Sequence, residues 1–373
     1  MNDSVKTDIL PLSRRLPAEW ETHDCVLIAW PHELTDWNYM LDEARDCFAN
    51  IVRAISEEEC VLIAGPADLC LPSIRKYEFD ARRVKFMDIP TNDTWARDFG
   101  GLTIELENGT KKVLDFKFNG WGLKFASNLD NLITLGLEKA KSFNAPLENH
   151  LSFVLEGGSV ESDGQGTLLT TSECLLSPNR NGAMTQKQID EYLRDAFGFN
   201  HTLWLDHGAL AGDDTDSHID TLARLAPGDT IIYVGAPDEE NMDKDPNTDS
   251  LQRMRDQLST FRTKEGNPFN LVELPSPAPI YDEDGQQLPA TYANFLISPR
   301  RIYLPVYSQP RKDLLAQQIL RIAFPDHEVV PIDCRALIQQ HGSLHCVTMQ
   351  FPAGTIAGID NGNWIEPDNN INN

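Results

Sequence analysis

The chain has 373 residues, 41% apolar and 24% charged, which is ample material for a hydrophobic core. Lys and Arg number 32 against 57 Asp and Glu, and the formal charge of −25 disfavours nucleic acid and anionic lipid as partners while favouring small cations. No stretch approaches the roughly 20 apolar residues that span a bilayer, and the first residues lack a secretory signal, so we expect no membrane association and a cytoplasmic location.

Apolar periodicity predicts alternating strands and helices along the chain. Predicted strands lie at 25–30, 61–64, 84–89, 167–170, 230–234 and 301–305. Predicted helices lie at 41–55 and near 130–142, 185–197, 249–262 and 312–323. A hairpin turn is predicted at 163–166, where two glycines separate two extended runs. This alternation predicts an α/β fold.

Polar clusters interrupt the apolar pattern at a regular spacing. They centre on Asp98, Glu156, His218, Asn294 and Cys346, roughly 50–75 residues apart, which is about the length of one α/β module repeated five times. Modules arranged around an axis would bring these clusters together. We expect one domain over residues 1–373, ordered from about 8 to 366, with a polar, disordered tail from residue 367.

Cys346 is the candidate nucleophile among seven cysteines. Their odd number and the lack of CxxC spacing predict neither a disulfide framework nor a thiolate zinc site. Cys346 follows a segment rich in His and Gly and precedes an alternating apolar run, as a nucleophile at a strand edge would. A core cysteine, or a metal ligand together with His341 and His345, are the alternatives at this point.

His218 lies in an acidic segment, 212–220. On an extended strand, His218 and Asp220 would point to the same face, which suits proton transfer or the binding of a cation. Calcium is disfavoured because a loop starting at Asp214 lacks the Gly and Glu of an EF-hand at its sixth and twelfth positions. A solvated acidic turn is the simpler alternative.

Three further segments carry polar groups. Trp95 lies between Asp93 and Asp98, so the ring could cover a flat cation while a carboxylate binds its edge. The alternative here is a salt bridge from Arg97 with the Trp buried in the core. Glu156 precedes two glycines, and Asn294 is an amide on an otherwise apolar predicted strand.

Together these clusters supply a thiol, an imidazole and several carboxylates, with no phosphate-binding loop and no complete metal set. Converging carboxylates repel one another unless the ligand is cationic. A guanidinium, whose planar fork of donors matches paired carboxylates, fits that requirement.

Six ordered motifs then carry a resemblance to a known family. They are NDTWARDFGG, FNGWGLKF, LEGGSVESDGQGTLLTTSECLLSPNRN, DDTDSHIDTLARL, ATYANFL and HGSLHCVTMQ. The chain resembles the agmatine deiminase and bacterial peptidylarginine deiminase family from residue 16 to about 352. That resemblance implies the pentein fold, a five-bladed α/β propeller with pseudo-fivefold symmetry, and no metal or organic cofactor.

The resemblance also implies residue roles. Cys346 matches the nucleophile, His218 the general acid/base, and Asp98 and Asp220 the carboxylates that hold the guanidinium. Glu156 matches the carboxylate beside the catalytic imidazole. Residues expected to bind or surround the substrate are Trp95, Asn294, Asp93 and Asp216.

Two departures from the family lie in loops around the expected site. Many relatives have Gly where this chain has Ser217, and a glycine run where it has His341-Gly342-Ser343. Agmatine is the expected substrate, since a dication suits an acidic protein, with arginine or peptidyl-arginine as alternatives if Arg97 or Arg180 could bind a carboxylate. Other functions stay open at this point. They are transfer of the amidino group to an amine instead of water, a metal-dependent hydrolase that uses His218, Asp216 and Asp220, and a non-catalytic polyamine-binding protein. Self-association of the chain also stays open.

Overall fold

The computed structural model describes residues 13–238, 242 and 244–365. The predicted polar tail and the predicted start of order at residue 8 lie outside these residues. Within the described part of the chain, no helix is both long and apolar enough to cross a membrane.

The strands are short, with two to eight residues each. In chain order they are β1 Arg14–Arg15, β2 His23–Ala29, β3 Cys60–Ala64, β4 Val84–Met87, β5 Leu102–Leu106, β6 Lys111–Lys117, β7 Leu147–Val154, β8 Glu161–Ser162, β9 Thr167–Thr171, β10 His201–Leu205, β11 Ala223–Ala226, β12 Thr230–Val234, β13 Asn270–Leu274, β14 Leu296–Ile297, β15 Arg301–Val306, β16 Glu328–Asp333, β17 Met349–Pro352, β18 Ile359–Asp360 and β19 Asn363–Trp364.

Helices connect the strands. The α-helices are α1 Leu41–Ser56, α2 Ala67–Ile74, α3 Ala96–Phe99, α4 Gly120–Leu123, α5 Ile133–Lys139, α6 Ser172–Leu175, α7 Pro178–Asn181, α8 Gln186–Phe197, α9 Thr248–Leu258 and α10 Pro310–Ala323. Short 3-10 helices lie at Asp36–Met40, Ala81–Arg83, Asp130–Leu132, Gly157–Ser159, Ile219–Thr221 and Leu337–Gln340. The fold is mixed α/β, as predicted.

The same strand order recurs in five sheets of the described chain. Each has a central strand that pairs antiparallel with one neighbour and parallel with the other. The orders are β1-β5-β6-β7, β8-β9-β10, β11-β12-β13, β14-β15-β16 and β17-β2-β3-β4, and β18 and β19 form a separate pair. Five copies of one supersecondary unit agree with the modules predicted from the spacing of the polar clusters.

Amphipathic spacing predicted the long helices well. In α1 the side chains of Ala44, Phe48, Ile51, Val52 and Ile55 form one buried face, as the period of 3.6 residues requires. Each large apolar side chain buried in this way contributes about 1.5–3 kcal/mol. The described residues share one hydrophobic cluster that runs from β2 to β19.

The polar clusters occupy equivalent places in the five sheets. In each sheet, one polar residue lies two to five residues before the strand that pairs antiparallel with the central strand. These residues are Asp98, Glu156, Asp220, Asn294 and Cys346, and the strands are β5, β8, β11, β14 and β17. The antiparallel strand therefore begins just after a polar side chain in every sheet, and this repeated junction supplies the candidate site.

Candidate active site

Gly158 marks the point where three of the predicted groups meet. A Cβ on this residue would lie 2.6 Å from Nδ1 of His218, 2.9 Å from Oδ1 of Asp98 and 3.1 Å from Oδ2 of Asp220. The backbone N–H of Gly158 donates to Oδ1 of Asp98 at 3.0 Å. A side chain here would occupy the space between the three groups, so glycine is what allows them to converge.

Cys346 lies in the turn before β17 and is 5% exposed. Its thiol donates to Oδ1 of Asn294 at 3.3 Å, and the same oxygen accepts from the backbone N–H of Cys346. The side chain of Asn294 donates in turn to the carbonyl of Asp220 at 3.3 Å. Burial, followed by the charges of Asp220 and Asp98, raises the pKa of the Cys346 thiol well above its usual value. Without a bound cation, the sulfur therefore carries its proton.

His218 is fully buried between two carboxylates. Its Nδ1 lies 3.5 Å from Oδ1 of Asp98 and its Nε2 lies 3.6 Å from Oε2 of Glu156. Neither ring nitrogen has a hydrogen-bond partner among the described residues. Burial acts to lower the pKa of His218, but the negative charge of Asp98 and the proximity of Glu156 raise it well above its usual value. The imidazole is thus favoured in its protonated form.

The prediction that His218 and Asp220 share one face of a strand is wrong. His218 immediately precedes the 3-10 helix Ile219–Thr221, and Asp220 lies within that helix. The preceding residues, Asp216 and Ser217, have φ of 63° and 62°, and such a reversal of the backbone ends any extended run. The tight turn still brings the imidazole and the carboxylate to one place.

Ser217 is one of the two expected departures from the family, which the resemblance implies to have glycine here. Its φ of 62° is left-handed, a conformation in which a side chain is strained and glycine is not. In this chain, the Ser217 hydroxyl donates to Oε2 of Glu173 at 2.9 Å, and its backbone N–H donates to Oδ2 of Asp213 at 2.7 Å. Two hydrogen bonds thus hold the strained residue in place.

The two carboxylates expected to hold a guanidinium have different surroundings. Asp98 accepts from Nε1 of Trp121 at 2.9 Å, and burial above all raises its pKa to about 6. Oδ2 of Asp220 lies 2.7 Å from Nδ1 of His345, whereas Oδ1 has no partner among the described residues. Burial acts to raise the pKa of Asp220, but the hydrogen bond and charge of His345 hold it below its usual value.

Glu156 is bound by the guanidinium of a buried arginine, Arg180. Nε of Arg180 donates to its Oε2 at 2.7 Å, and Nη1 of Arg180 donates to Asp216 at 2.5 Å. Asp216 also receives Nζ of Lys124 at 2.6 Å. Asp216, which was expected from the sequence to bind or surround the substrate, therefore has both oxygens in ion pairs, with Lys124 and Arg180.

A pocket leads to Cys346 and Asp98 and has about 440 Å³ of empty volume. Its lining consists of Asp36, Asp93, Trp95, Asp98, Trp121, Phe125, Asp214, Thr215, Gln340, His341, Gly342 and Cys346. No Lys or Arg is among these described lining residues. A Cβ on Gly342 would lie 2.1 Å from Cζ3 of Trp95, so glycine lets the loop close against the aromatic wall.

Asp93 is the most perturbed acid of the pocket wall. It accepts from the backbone N–H of Thr94 at 2.9 Å. Burial, then the charges of Asp36 and Asp130, raises its pKa to about 7. A carboxyl group in this state gains a full negative charge when a cation enters the pocket, because the cation favours the ionised form.

Among the described residues, one group of side chains has the spacing of a metal site. Ligand atoms of Glu156, Cys174 and His218 lie within 4.8 Å of one another. The guanidinium of Arg180 already binds Glu156 there, and its positive charge opposes a second cation. Two other sets of metal ligands were considered from the sequence: His341 with His345 and Cys346, and His218 with Asp216 and Asp220. Neither set forms such a group in the described part of the chain.

Several residues around the site were not recognised from the sequence as contributors. Trp121, in the FNGWGLKF motif, hydrogen-bonds Asp98 from 23 positions away, and Cys174 lies 3.8 Å from Glu156. Glu19, Arg224 and His345 form buried ion pairs behind Asp220. Trp121 and His345 lie in motifs that carried the resemblance. Membership in these motifs is the feature of the sequence that could have identified them as part of the site.

A model of the Porphyromonas-type peptidyl-arginine deiminase family matches residues 15–352 of the chain. The chain belongs to this family. The match includes every segment that converges on Gly158 and Cys346.

Related proteins agree with this assignment over almost the whole chain. The protein named "Putative agmatine deiminase" of Legionella pneumophila (strain Paris) is 34% identical over 352 residues, 90% of this chain and 95% of its own. The crystal structure of a "putative peptidyl-arginine deiminase" has a TM-score of 0.86 at 42% identity, covering 92% of this chain and 100% of that one. The structure of a Cys-to-Ser variant of C. jejuni agmatine deiminase with substrate bound has a TM-score of 0.82 at 38% identity, covering 91% and 96%.

Proposed function

We propose that the protein is a guanidine deiminase that hydrolyses agmatine to N-carbamoylputrescine and ammonia, with Cys346 as the nucleophile. The observation that carries the proposal is the convergence of a buried thiol, an imidazole and two carboxylates at an acidic pocket. Family membership supports the same reaction, and the related C. jejuni agmatine deiminase was crystallised with substrate bound as a Cys-to-Ser variant.

Electrostatics indicates how the thiol is activated. Asp98 and Asp220 hold the guanidinium, and its positive charge offsets the two negative charges that, together with burial, keep Cys346 protonated. The thiol then releases its proton to water, and the thiolate attacks the central guanidine carbon. His218, favoured in its protonated form, gives a proton to the departing ammonia, and an S-alkylthiouronium remains on the enzyme.

The second half of the reaction uses the same imidazole in reverse. His218, now neutral, accepts a proton from water, and the resulting hydroxide attacks the thiouronium carbon. Collapse of the tetrahedral intermediate releases the hydroxyl proton, forms the carbamoyl group and expels the Cys346 thiolate, which takes up a proton again. One water is consumed and one ammonia is released, with no change of oxidation state.

The pocket wall favours agmatine over arginine. Asp36, Asp93 and Asp214 are acidic, which suits the second positive charge of agmatine and repels an α-carboxylate. The two arginines considered as partners for such a carboxylate have other contacts. Arg97 lies near Glu19 and the carbonyl of His345, and Arg180 binds Glu156 and Asp216.

The five sheets are, in this proposal, the blades of a pentein propeller arranged around the site, within a single catalytic domain. Their shared strand order and the equivalent positions of the polar residues support that arrangement. The cytoplasmic location stays a prediction from the sequence.

Peptidyl-arginine is the second candidate substrate, because the description of the family names that activity. Ammonia release measured over agmatine, arginine, arginine methyl ester and an arginine-containing peptide separates the candidates. We expect the highest kcat/KM for agmatine, with activity that survives exhaustive chelation and stops with iodoacetamide. A higher kcat/KM for the peptide would replace agmatine as substrate, whereas agmatine binding without ammonia release would indicate a polyamine-binding protein.

A further inference from the structure

A cluster of buried charges lies directly behind Asp220. Its members come from different parts of the chain, yet each is less than 9% exposed. They are Glu19, Arg97, Glu161, Asp220, Arg224 and His345. Burying so many charges is costly unless each is paired and hydrogen-bonded, so the arrangement of the pairs is informative.

His345 is the link between this cluster and the candidate site. Its Nδ1 lies 2.7 Å from Oδ2 of Asp220, and its Nε2 lies 2.7 Å from Oε2 of Glu19. An ionised carboxylate can only accept hydrogen bonds. Two contacts this short therefore require a proton on each nitrogen of the ring, which makes the side chain an imidazolium.

Both carboxylates are held in their ionised form. Burial acts to raise the pKa of Glu19, but Arg224 and then His345 bring it well below its usual value. Nη2 of Arg224 donates to the same Oε2 at 2.8 Å. The same Nη2 atom of Arg224 lies 3.2 Å from Nε2 of His345. Oε2 of Glu19 lies 2.7 Å from that nitrogen, so the carboxylate is the closer partner of the ring.

The charge balance of the cluster points the same way. Arg97, Arg224 and an imidazolium at His345 provide three positive charges, and Glu19, Glu161 and Asp220 provide three negative ones. Both oxygens of Glu161 accept hydrogen bonds from N–H donors. With all three carboxylates ionised, a neutral His345 would leave one buried negative charge without a counter-charge. Burial raises the pKa of Glu161, so this balance supports the short contacts of His345 and does not replace them.

We propose that His345 is a positioning residue for the deiminase reaction, acting as an imidazolium that fixes and ionises Asp220. By holding Oδ2, it leaves Oδ1 of Asp220 free to accept a guanidinium N–H. Its backbone N–H donates to Oδ1 of Asn294 at 2.9 Å, the oxygen that also binds the thiol of Cys346. One residue thus holds both the carboxylate and the amide that orients the nucleophile. This inference rests on the proposed function.

Loss of the imidazolium has a defined effect on Asp220. Asp98, His218 and Cys346 face Asp220 on the substrate side. Glu19, Arg97, Glu161 and Arg224 face it and His345 on the other side. Because His345 is the strongest influence opposing burial on Asp220, its removal raises the pKa of Asp220 and leaves Oδ2 without its partner. The expected effect is weaker binding of the guanidinium, rather than a new acid limb, because Asp98 is protonated at a higher pH than Asp220.

His345→Asn and His345→Gln form an informative pair of variants. The amide of Asn can reproduce the donor at Nδ1, which faces Asp220, and that of Gln the donor at Nε2, which faces Glu19. Both are neutral. The control is His150→Asn, since His150 also joins two side chains, Glu148 and Tyr192, but lies in β7.

Asp98 and Asp93, with pKa values of about 6 and about 7, set the acid limb of kcat/KM for agmatine, so the effect of His345 is measured at pH 8, where both are mostly ionised. We expect kcat/KM at pH 8 to fall about tenfold in His345→Asn, which loses the charge but keeps a donor to Asp220. His345→Gln should fall further, because its donor no longer reaches Asp220, and His150→Asn should keep the wild-type value. A folded His345→Asn enzyme with unchanged kcat/KM, or a His345→Gln enzyme as active as His345→Asn, would overturn the proposal.

A second measurement holds whether or not the variants fold. In wild-type protein labelled with ¹⁵N-histidine, both ring nitrogens of His345 should carry a proton, and a neutral tautomer would overturn the proposal. Failure of the function itself looks different. In that case the wild type releases no ammonia from any guanidine, while the His345 resonances still report the imidazolium.

Discussion

Asp93 offers a quantitative test of how the pocket recognises the end of agmatine remote from the guanidinium. Its pKa is raised to about 7, so about 90% of the group is ionised at pH 8 and about 10% at pH 6. A substrate ammonium binds the ionised form only. The contribution of Asp93 is therefore present above pH 7 and decreases as the pH falls through that value.

Asp93→Asn keeps the shape of the side chain and removes the charge. At pH 8 we expect kcat/KM for agmatine to fall about 10- to 150-fold, corresponding to about 1.5–3 kcal/mol for a hydrogen bond to a charged group. At pH 6 the difference between the variant and the wild type should shrink by about tenfold. Initial rates of ammonia release at low agmatine concentration over pH 5.5–9 give these ratios.

Asp98 titrates in a similar range, with a pKa of about 6, so the comparison needs a control. Butylguanidine has the guanidinium and the four-carbon arm of agmatine but no ammonium. Asp93→Asn should leave its kcat/KM almost unchanged at every pH, while any dependence due to Asp98 appears in both enzymes. An equal loss for agmatine and butylguanidine would refute the assignment of Asp93 to the ammonium.

Three further predictions concern the reacting groups. Cys346→Ala should abolish ammonia release but retain agmatine binding by calorimetry, because carboxylates rather than the thiol hold the guanidinium; turnover near the wild-type rate would rule out this nucleophile. Asp98→Asn should lower kcat/KM by about 100-fold or more, yet speed alkylation of Cys346 by iodoacetamide, since one of the charges that keep the thiol protonated is gone. Slower alkylation would contradict the electrostatic account. Gly158→Ala should greatly lower kcat and also lower the thermal unfolding temperature, because the methyl group would lie 2.6 Å from Nδ1 of the buried His218 and overpacking of this kind costs about 1–3 kcal/mol; full activity would show that the groups do not converge there.

Local sequence patterns predicted the longer helices and six strands of this fold, but not β5, β6, β7, β10, β13 or β16. Helix α8 begins after Thr185, whose side chain forms a capping box with Gln188, and ends at Gly198 with a left-handed φ of 80°. Both signals are local and can be read from the sequence. Asn294, in contrast, was predicted on a strand but precedes β14 by two residues. Its conformation depends on contacts with Asp220 and Cys346, which are distant in sequence.

The same distinction applies to the site. The motifs identified the groups that meet at Gly158, because each carries rare residue types in a fixed order. The partners that tune those groups were not predictable, since Glu19 and His345 are 326 positions apart. Trp121 and Asp98 are separated along the chain by two strands, β5 and β6. Periodicity and spacing describe neighbours along the chain, and such pairs are set by tertiary packing.

The sheet that follows Cys346 is built from opposite ends of the chain. Strand β17 pairs antiparallel with β2, so residues 349–352 lie against residues 23–27. Pairing of such distant segments costs more loop-closure entropy than pairing of neighbours. During synthesis, His218 and the acidic groups leave the ribosome well before Cys346. The strand that follows the thiol thus has its partner at the other end of the chain, and the position of Cys346 depends on joining the two.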